Sequence, residues 1–236
     1  MLSPAAQYVL RSTAQLQEKS GRQPYAYQYA NQYEFMLCKL AEDKRRLKAV
    51  QSMQKKSELK RALLPDYQPW VEGVLQSASG TQDDVVMTVM VWCIDAGDFV
   101  GAVQIARYAL TYKLSLPDQY QRTPACLLAE EFAEAVFRAR ITHQQIDLES
   151  LSAIERLTAN EDMPDPVRAK LHKALAYGLI AKADITLSEQ QTALQHLKRA
   201  WQLHDKVGVK KDIEALERTL KKTLNINKNS FAIEDS

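Results

Sequence analysis

Nine basic residues lie between Lys39 and Arg61: Lys39, Lys44, Arg45, Arg46, Lys48, Lys55, Lys56, Lys60 and Arg61. Only Glu42, Asp43 and Glu58 oppose them, so this stretch carries a formal +6 within a chain of +2, and the remainder is net acidic. Ammonium and guanidinium groups spaced along a helix are suited to binding phosphates. Each phosphate they neutralise releases condensed counterions and gives salt-sensitive, largely sequence-independent affinity. The candidate nucleic-acid-binding set is Lys44, Arg45, Arg46, Lys48, Lys55, Lys56, Lys60 and Arg61. The other reading is a solvated helix face whose aliphatic stems cover a neighbouring helix, and charge alone leaves both open. Tyr67 and Trp70, just downstream, read as core anchors rather than as platforms for stacked bases.

Catalytic chemistry has less to stand on. No phosphate-cradling GxxxxGK[ST] loop occurs, and neither do GxSxG, CxxC or HExxH. Paired acids could hold Mg²⁺ for a nuclease, and the pairs available are Asp83 with Asp84, Asp95 with Asp98, and Glu130 with Glu134. Each has a plainer reading: the first at a helix start, the second as caps flanking Gly97, the third on a solvated face. Of the four histidines, His143, His172, His196 and His204, the last two fall eight apart on an expected helix, too far to share one metal. No catalytic residue, metal or cofactor is expected.

A chain of 236 residues buries roughly 70–75% of its unfolded surface, enough for one large domain or two small ones. Seven Gly and eight Pro leave long uninterrupted stretches, and no segment alternates with a period of two, so an all-α fold is expected. Cys38, Cys93 and Cys126 read as buried reduced thiols. Met1–Lys19 lacks the apolar run of a signal peptide, and Val85–Ile94 is too short to span a bilayer. The expectation is a soluble intracellular protein without a membrane partner.

Residues 1–32 read as an N-terminal helix over 4–18 followed by an irregular linker. Residues 33–64 read as one long basic helix, with a possible break near Gln54–Ser57 and a stop at Pro65. Residues 65–224 read as a helical-hairpin scaffold, and 225–236 as a flexible tail. Within the scaffold the patterns predict helices over Asp83–Ala96, Phe99–Tyr112, Ala125–Arg140, Leu148–Thr158, Val167–Ala181, Glu189–Lys206 (capped by Ser188) and Lys210–Leu224. Ala102 and Ala109, and again Ala193 and Ala200, are seven apart. Small residues at that spacing allow close packing on a preceding helix, as in tetratricopeptide-like helix pairs, although any tight antiparallel pair shows the same alanines.

Several stretches are more specific than any of this: YEFMLCKLAEDKRRLKAV, LLPDYQPWVEGVL, QDDVVMTVMVWCIDAGDFVGAVQIARYAL, RTPACLLAEEFAEA, DMPDPVRAKLHKALA and LHDKVGVKKDIEALER. In these the chain resembles the small terminase subunits of Peduovirus-type temperate myophages, over about residues 1–222 and in the same order. The ends depart from that pattern: NINKNSFAIEDS stands where family members carry a long Lys/Arg/Pro-rich tail. The resemblance implies a non-catalytic DNA-packaging subunit acting in the host cytoplasm. Such a subunit forms a homo-oligomeric ring, recognises the packaging site on double-stranded phage DNA and presents it to the large ATPase subunit. The family's label of endonuclease subunit keeps a metal-dependent nuclease open, using Asp83, Asp84, Asp95 or Asp98. A tetratricopeptide-like protein-binding adaptor is a third reading.

Overall fold

The structure, a computed structural model, describes residues 25–117 and 121–234. Every regular element among them is helical. The chain divides into two compact units, Met1–Pro124 and Ala125–Ser236. The helix expected over 4–18 lies outside the described residues.

The first unit holds four helices: α1 (Tyr25–Ala49), α2 (Met53–Ser77), α3 (Asp84–Ala96) and α4 (Phe99–Thr111). The single basic helix expected over 33–64 is in fact two. α1 starts earlier, inside the expected linker, and ends at Ala49. The chain turns through Val50–Ser52, and Ser52 caps α2 by accepting the Lys55 N–H at 3.3 Å. Nor does α2 stop at Pro65: it runs through Pro65 and Pro69 to Ser77. A proline inside a helix costs about 3 kcal/mol. Leu63, Tyr67, Trp70, Val71 and Val74 are buried along the same helix, and at about 1.5–3 kcal/mol per large apolar side chain their burial outweighs the two rings.

α3 is the centre of the unit and packs against α1, α2 and α4. It is buried nearly all round, as its unbroken apolar sequence predicts. Asp83 caps its start, and its C-terminus closes at Gly97 in the left-handed region, φ 80°, where a residue with a Cβ is strained. The Asp98 N–H returns to the Cys93 carbonyl at 2.8 Å, and the Asp98 carboxylate caps α4. Ala102 and Ala109 are fully buried on α4.

The second unit holds α5 (Pro124–Ile141), α6 (Leu148–Thr158), α7 (Asp165–Ile180), α8 (Leu187–Leu203), a 3₁₀ turn (Asp205–Val207) and α9 (Lys210–Glu234). Its most extensive packing is α7 on α8, where Ala193 and Ala200 are fully buried. The N-cap of α8 is Thr186 rather than Ser188. Its hydroxyl accepts the Glu189 N–H while Glu189 reaches back to the Thr186 N–H, a complete capping box. α9 continues past Leu224 to Glu234 instead of giving way to a tail at 225. No described helix is long and apolar enough to cross a membrane.

Candidate nucleic-acid interface

The basic run wraps a corner. α1 and α2 are antiparallel neighbours: Tyr33 stacks on Trp70 with ring centroids 6.0 Å apart, and Lys39 pairs with Asp66 at 3.3 Å. Arg45 and Lys48 therefore end one arm of a helical hairpin, and Lys55 and Lys56 begin the other. The link between them is three residues long.

An acid holds the hairpin together. Asp43 interrupts the apolar stripe of α1, yet it is only 3% exposed. Its carboxylate accepts from Lys39 Nζ at 2.8 Å, Arg46 Nη1 at 2.9 Å and Tyr67 Oη at 2.8 Å. Burial alone would raise its pKa, but the bonds from Lys39, Tyr67 and Arg46 outweigh burial and hold it below the ordinary carboxylate range. Burial and the neighbouring carboxylate push the Tyr67 hydroxyl well up, so it stays a donor. Lys39 also lies 4.7 Å from the Tyr67 ring centroid.

The first turns of α2 are fastened to the end of α3. Lys60 pairs with the Asp95 carboxylate, and Ser57 Oγ donates to the Asp95 carbonyl at 2.6 Å. Arg61 donates from Nε and Nη2 to the Ala96 carbonyl at 3.2 and 2.7 Å. A guanidinium here satisfies a terminal carbonyl and complements the negative end of the helix dipole.

The eight expected DNA-binding residues thus separate into three groups. Arg46, Lys60 and Arg61 have intramolecular partners. Lys44 is half-buried, and burial lowers its pKa against the opposing pull of Asp84. Arg45, Lys48 and Lys55 are exposed and Lys56 is partly so, and none of the four forms an ion pair among the described residues. Tyr67 and Trp70 are fully buried, in the core rather than on the surface.

The acids weighed for metal binding have structural partners. Asp83 is 3% exposed and accepts from the Val85 and Val86 N–H groups and from Trp70 Nε1, each at 2.9 Å. Burial raises its pKa more than these bonds lower it. Asp84 accepts from Gln82 at 3.2 Å, and Asp98 caps α4 through the Gly101 N–H at 3.0 Å. Glu130 and Glu134 share Lys170, at 3.4 and 2.9 Å. Among the described residues there is no group of three or more His, Cys, Asp and Glu side chains able to hold a metal. His172 and His196, which no local spacing connects, meet across α7 and α8, Nδ1 to Nδ1 at 3.0 Å. One further expectation needs correcting: Cys38 is exposed, whereas Cys93 and Cys126 are buried as their surroundings suggest.

The corner and the acids around α3 and α4 fall within one recognised stretch. A family model described as phage small terminase subunit matches residues 37–166, more than half of the chain. This chain belongs to the phage small terminase subunit family. The chain is 46% identical over 221 residues to "Terminase, endonuclease subunit" of Escherichia phage P2, covering 94% of this chain and 87% of that one. It is 24% identical over 209 residues to "Probable terminase, endonuclease subunit" of Haemophilus phage HP1 (strain HP1c1), covering 85% and 74%. No solved structure matches the terminase subunit.

Proposed function

We propose that this small terminase subunit engages double-stranded phage DNA through the corner between α1 and α2, and delivers it to the large terminase subunit in the host cytoplasm. The observation that carries this reading is the separation of the cations. Arg45, Lys48, Lys55 and Lys56 flank a three-residue link and stand without ion pairs among the described residues, while their neighbours Arg46, Lys60 and Arg61 fix the corner's geometry. Such a patch neutralises backbone phosphates without reading bases. Self-association of the subunit multiplies a modest patch by avidity, provided the copies reach the same duplex.

Anisotropy titrations of labelled duplex between about 50 and 200 mM salt test the assignment. Alanine at Arg45, Lys48, Lys55 and Lys56 should weaken binding to every sequence alike. It should also reduce the salt slope by about 3–4, at about 0.9 for each phosphate no longer neutralised. Unchanged affinity and slope would move the DNA site elsewhere. The mass of the protein in solution, with and without duplex, tests the oligomer in the same preparation.

A second reading is motivated by the name of the P2 relative, an endonuclease subunit. It predicts Mg²⁺-dependent cleavage by the isolated subunit that is lost on alanine substitution at Asp83, Asp84, Asp95 or Asp98. The hydrogen bonds and ion pairs just described give these carboxylates a structural role instead.

A further inference from the structure

We propose that Met53, at the tip of the α1–α2 corner, is an apolar wedge that enters the minor groove of duplex DNA and bends it. The inference rests on the reading that this corner meets DNA. Met53 is 75% exposed, more than any other large apolar side chain among the described residues of the first unit. It opens α2 directly after the three-residue link. Its polar neighbours along the chain have partners: Ser52 Oγ accepts the Lys55 N–H, and Gln54 Nε2 donates to Glu58 Oε1 at 3.0 Å.

The start of α2 also runs against its own dipole. The positive end of a helix favours acids in its first turn. That turn of α2 holds no acid, and Lys55 and Lys56 stand in it without an ion pair among the described residues. A local preference reversed with no compensating partner inside the chain points to negative charge supplied from outside. Arg45 and Lys48 lie within about 6 Å of the end of α1 along its axis, and Lys55 and Lys56 within about 5 Å of the start of α2. Met53 is therefore bracketed by cations on both arms.

Size decides what can enter a groove. Two neighbouring helices, each about 10–12 Å thick with axes about 8–10 Å apart, are together at least about 18 Å across. The major groove is about 12 Å wide and the minor groove about 6 Å. End-on, the corner is too broad for either, so its two arms face phosphates on opposite banks. The narrower groove keeps both banks within reach of one corner. A single unbranched side chain at the tip still fits, and methionine is flexible and polarisable enough to pack between base pairs. Apolar side chains inserted at a base step unstack it and kink the duplex by about 20–90°.

End-to-end energy transfer in a doubly labelled duplex of about 30 base pairs, saturated with the full chain, tests the proposal. The native protein should bend the duplex by about 20–90°. Met53→Ala should keep the salt slope, because all four cations remain, yet lose at least about half of the bend. Met53→Leu, which keeps an apolar wedge, should restore it. A central two-base mismatch is already unstacked, so the native protein should bind that duplex at least about threefold tighter than the matched one, a preference that Met53→Ala removes. The urea midpoint should be the same for all three proteins, since the substituted side chain is exposed. A salt-dependent complex with an unbent duplex, or a bend that survives Met53→Ala, would overturn the wedge and leave the corner as a phosphate-binding site. Unchanged affinity of the four-cation alanine variant would overturn the corner, and the wedge with it.

Discussion

Replacing Asp43 by alanine should be among the most damaging single changes in the first unit, despite removing an acid from a strongly basic surface. The carboxylate is 3% exposed and accepts from Lys39, Arg46 and Tyr67. Removing it strands the hydroxyl of Tyr67, which has no exposure at all, at about 1–3 kcal/mol. Lys39 keeps Asp66 at 3.3 Å, so its loss is smaller, whereas Arg46 loses its partner. The sum is about 3–4 kcal/mol, in the range for breaking a buried charged pair by removing one member. Tyr67→Phe removes one hydrogen bond to a charged acceptor and leaves Asp43 two others, so it should cost about 1.5–2 kcal/mol. In the double variant no hydroxyl is stranded, and its cost should fall short of the sum by about 1–2 kcal/mol. Urea unfolding followed by tryptophan fluorescence measures this. A Trp201→Phe background leaves Trp70 and Trp92, both in the first unit, as the only reporters. A loss under about 0.5 kcal/mol for Asp43→Ala, or strict additivity, would refute the claim that this acid holds the hairpin.

Burial, with His196, Arg199 and Arg168 nearby, lowers the His172 pKa from its ordinary 6.5 to about 4, and burial lowers that of His196 against the pull of Glu155. The unfolded chain then binds more protons than the folded one between those values, so stability of the second unit should fall as pH drops from about 6.5 towards 4. After discounting for partial exposure the loss is roughly 2 kcal/mol, and His172→Phe should flatten the profile in that window. An unchanged pH profile in that variant would rule the pair out as its source. Thiol reagents should label Cys38 in the native protein and reach Cys93 only on unfolding, because burial and Asp98 push the Cys93 thiol up to about 12; mass spectrometry of the labelled peptides decides this. Thr186→Ala should cost about 1 kcal/mol through loss of the capping box, measured by thermal unfolding, whereas Ser188→Ala should cost much less.

Much of the fold is readable because the helix ends carry their own signals. Asp83, Gly97 and Asp98 punctuate α3 and α4 as their residue types dictate, and Lys210 opens α9 where expected. The departures share a cause, in that tertiary contacts outweigh local preference. Pro65 argues for a stop, but the residues beyond it bury on the same helix. Asp43 looks like a gap in an apolar stripe because periodicity cannot see a buried acid with three donors. Ser52, the residue that marks the break between α1 and α2, has the chemistry of an N-cap, but the continuous run of cations around it masks the boundary. The basic patch is legible as composition only. Whether a lysine faces solvent or an acid 35 residues away, as Lys60 faces Asp95, has no signature in local sequence. The meeting of His172 and His196 is hidden for the same reason.

The division at Pro124 and Ala125 has a consequence for how the protein is made. Each unit is one continuous stretch of chain, so the whole of the first is synthesised before the second begins. The second unit is 112 residues long, and at 5–20 residues per second its synthesis takes about 6–22 s. Helical units rich in local contacts fold in microseconds to milliseconds. The first unit therefore has thousands of folding times at the ribosome before the second is complete, and the α1–α2 corner is assembled on a nascent chain that still lacks α7 and α8.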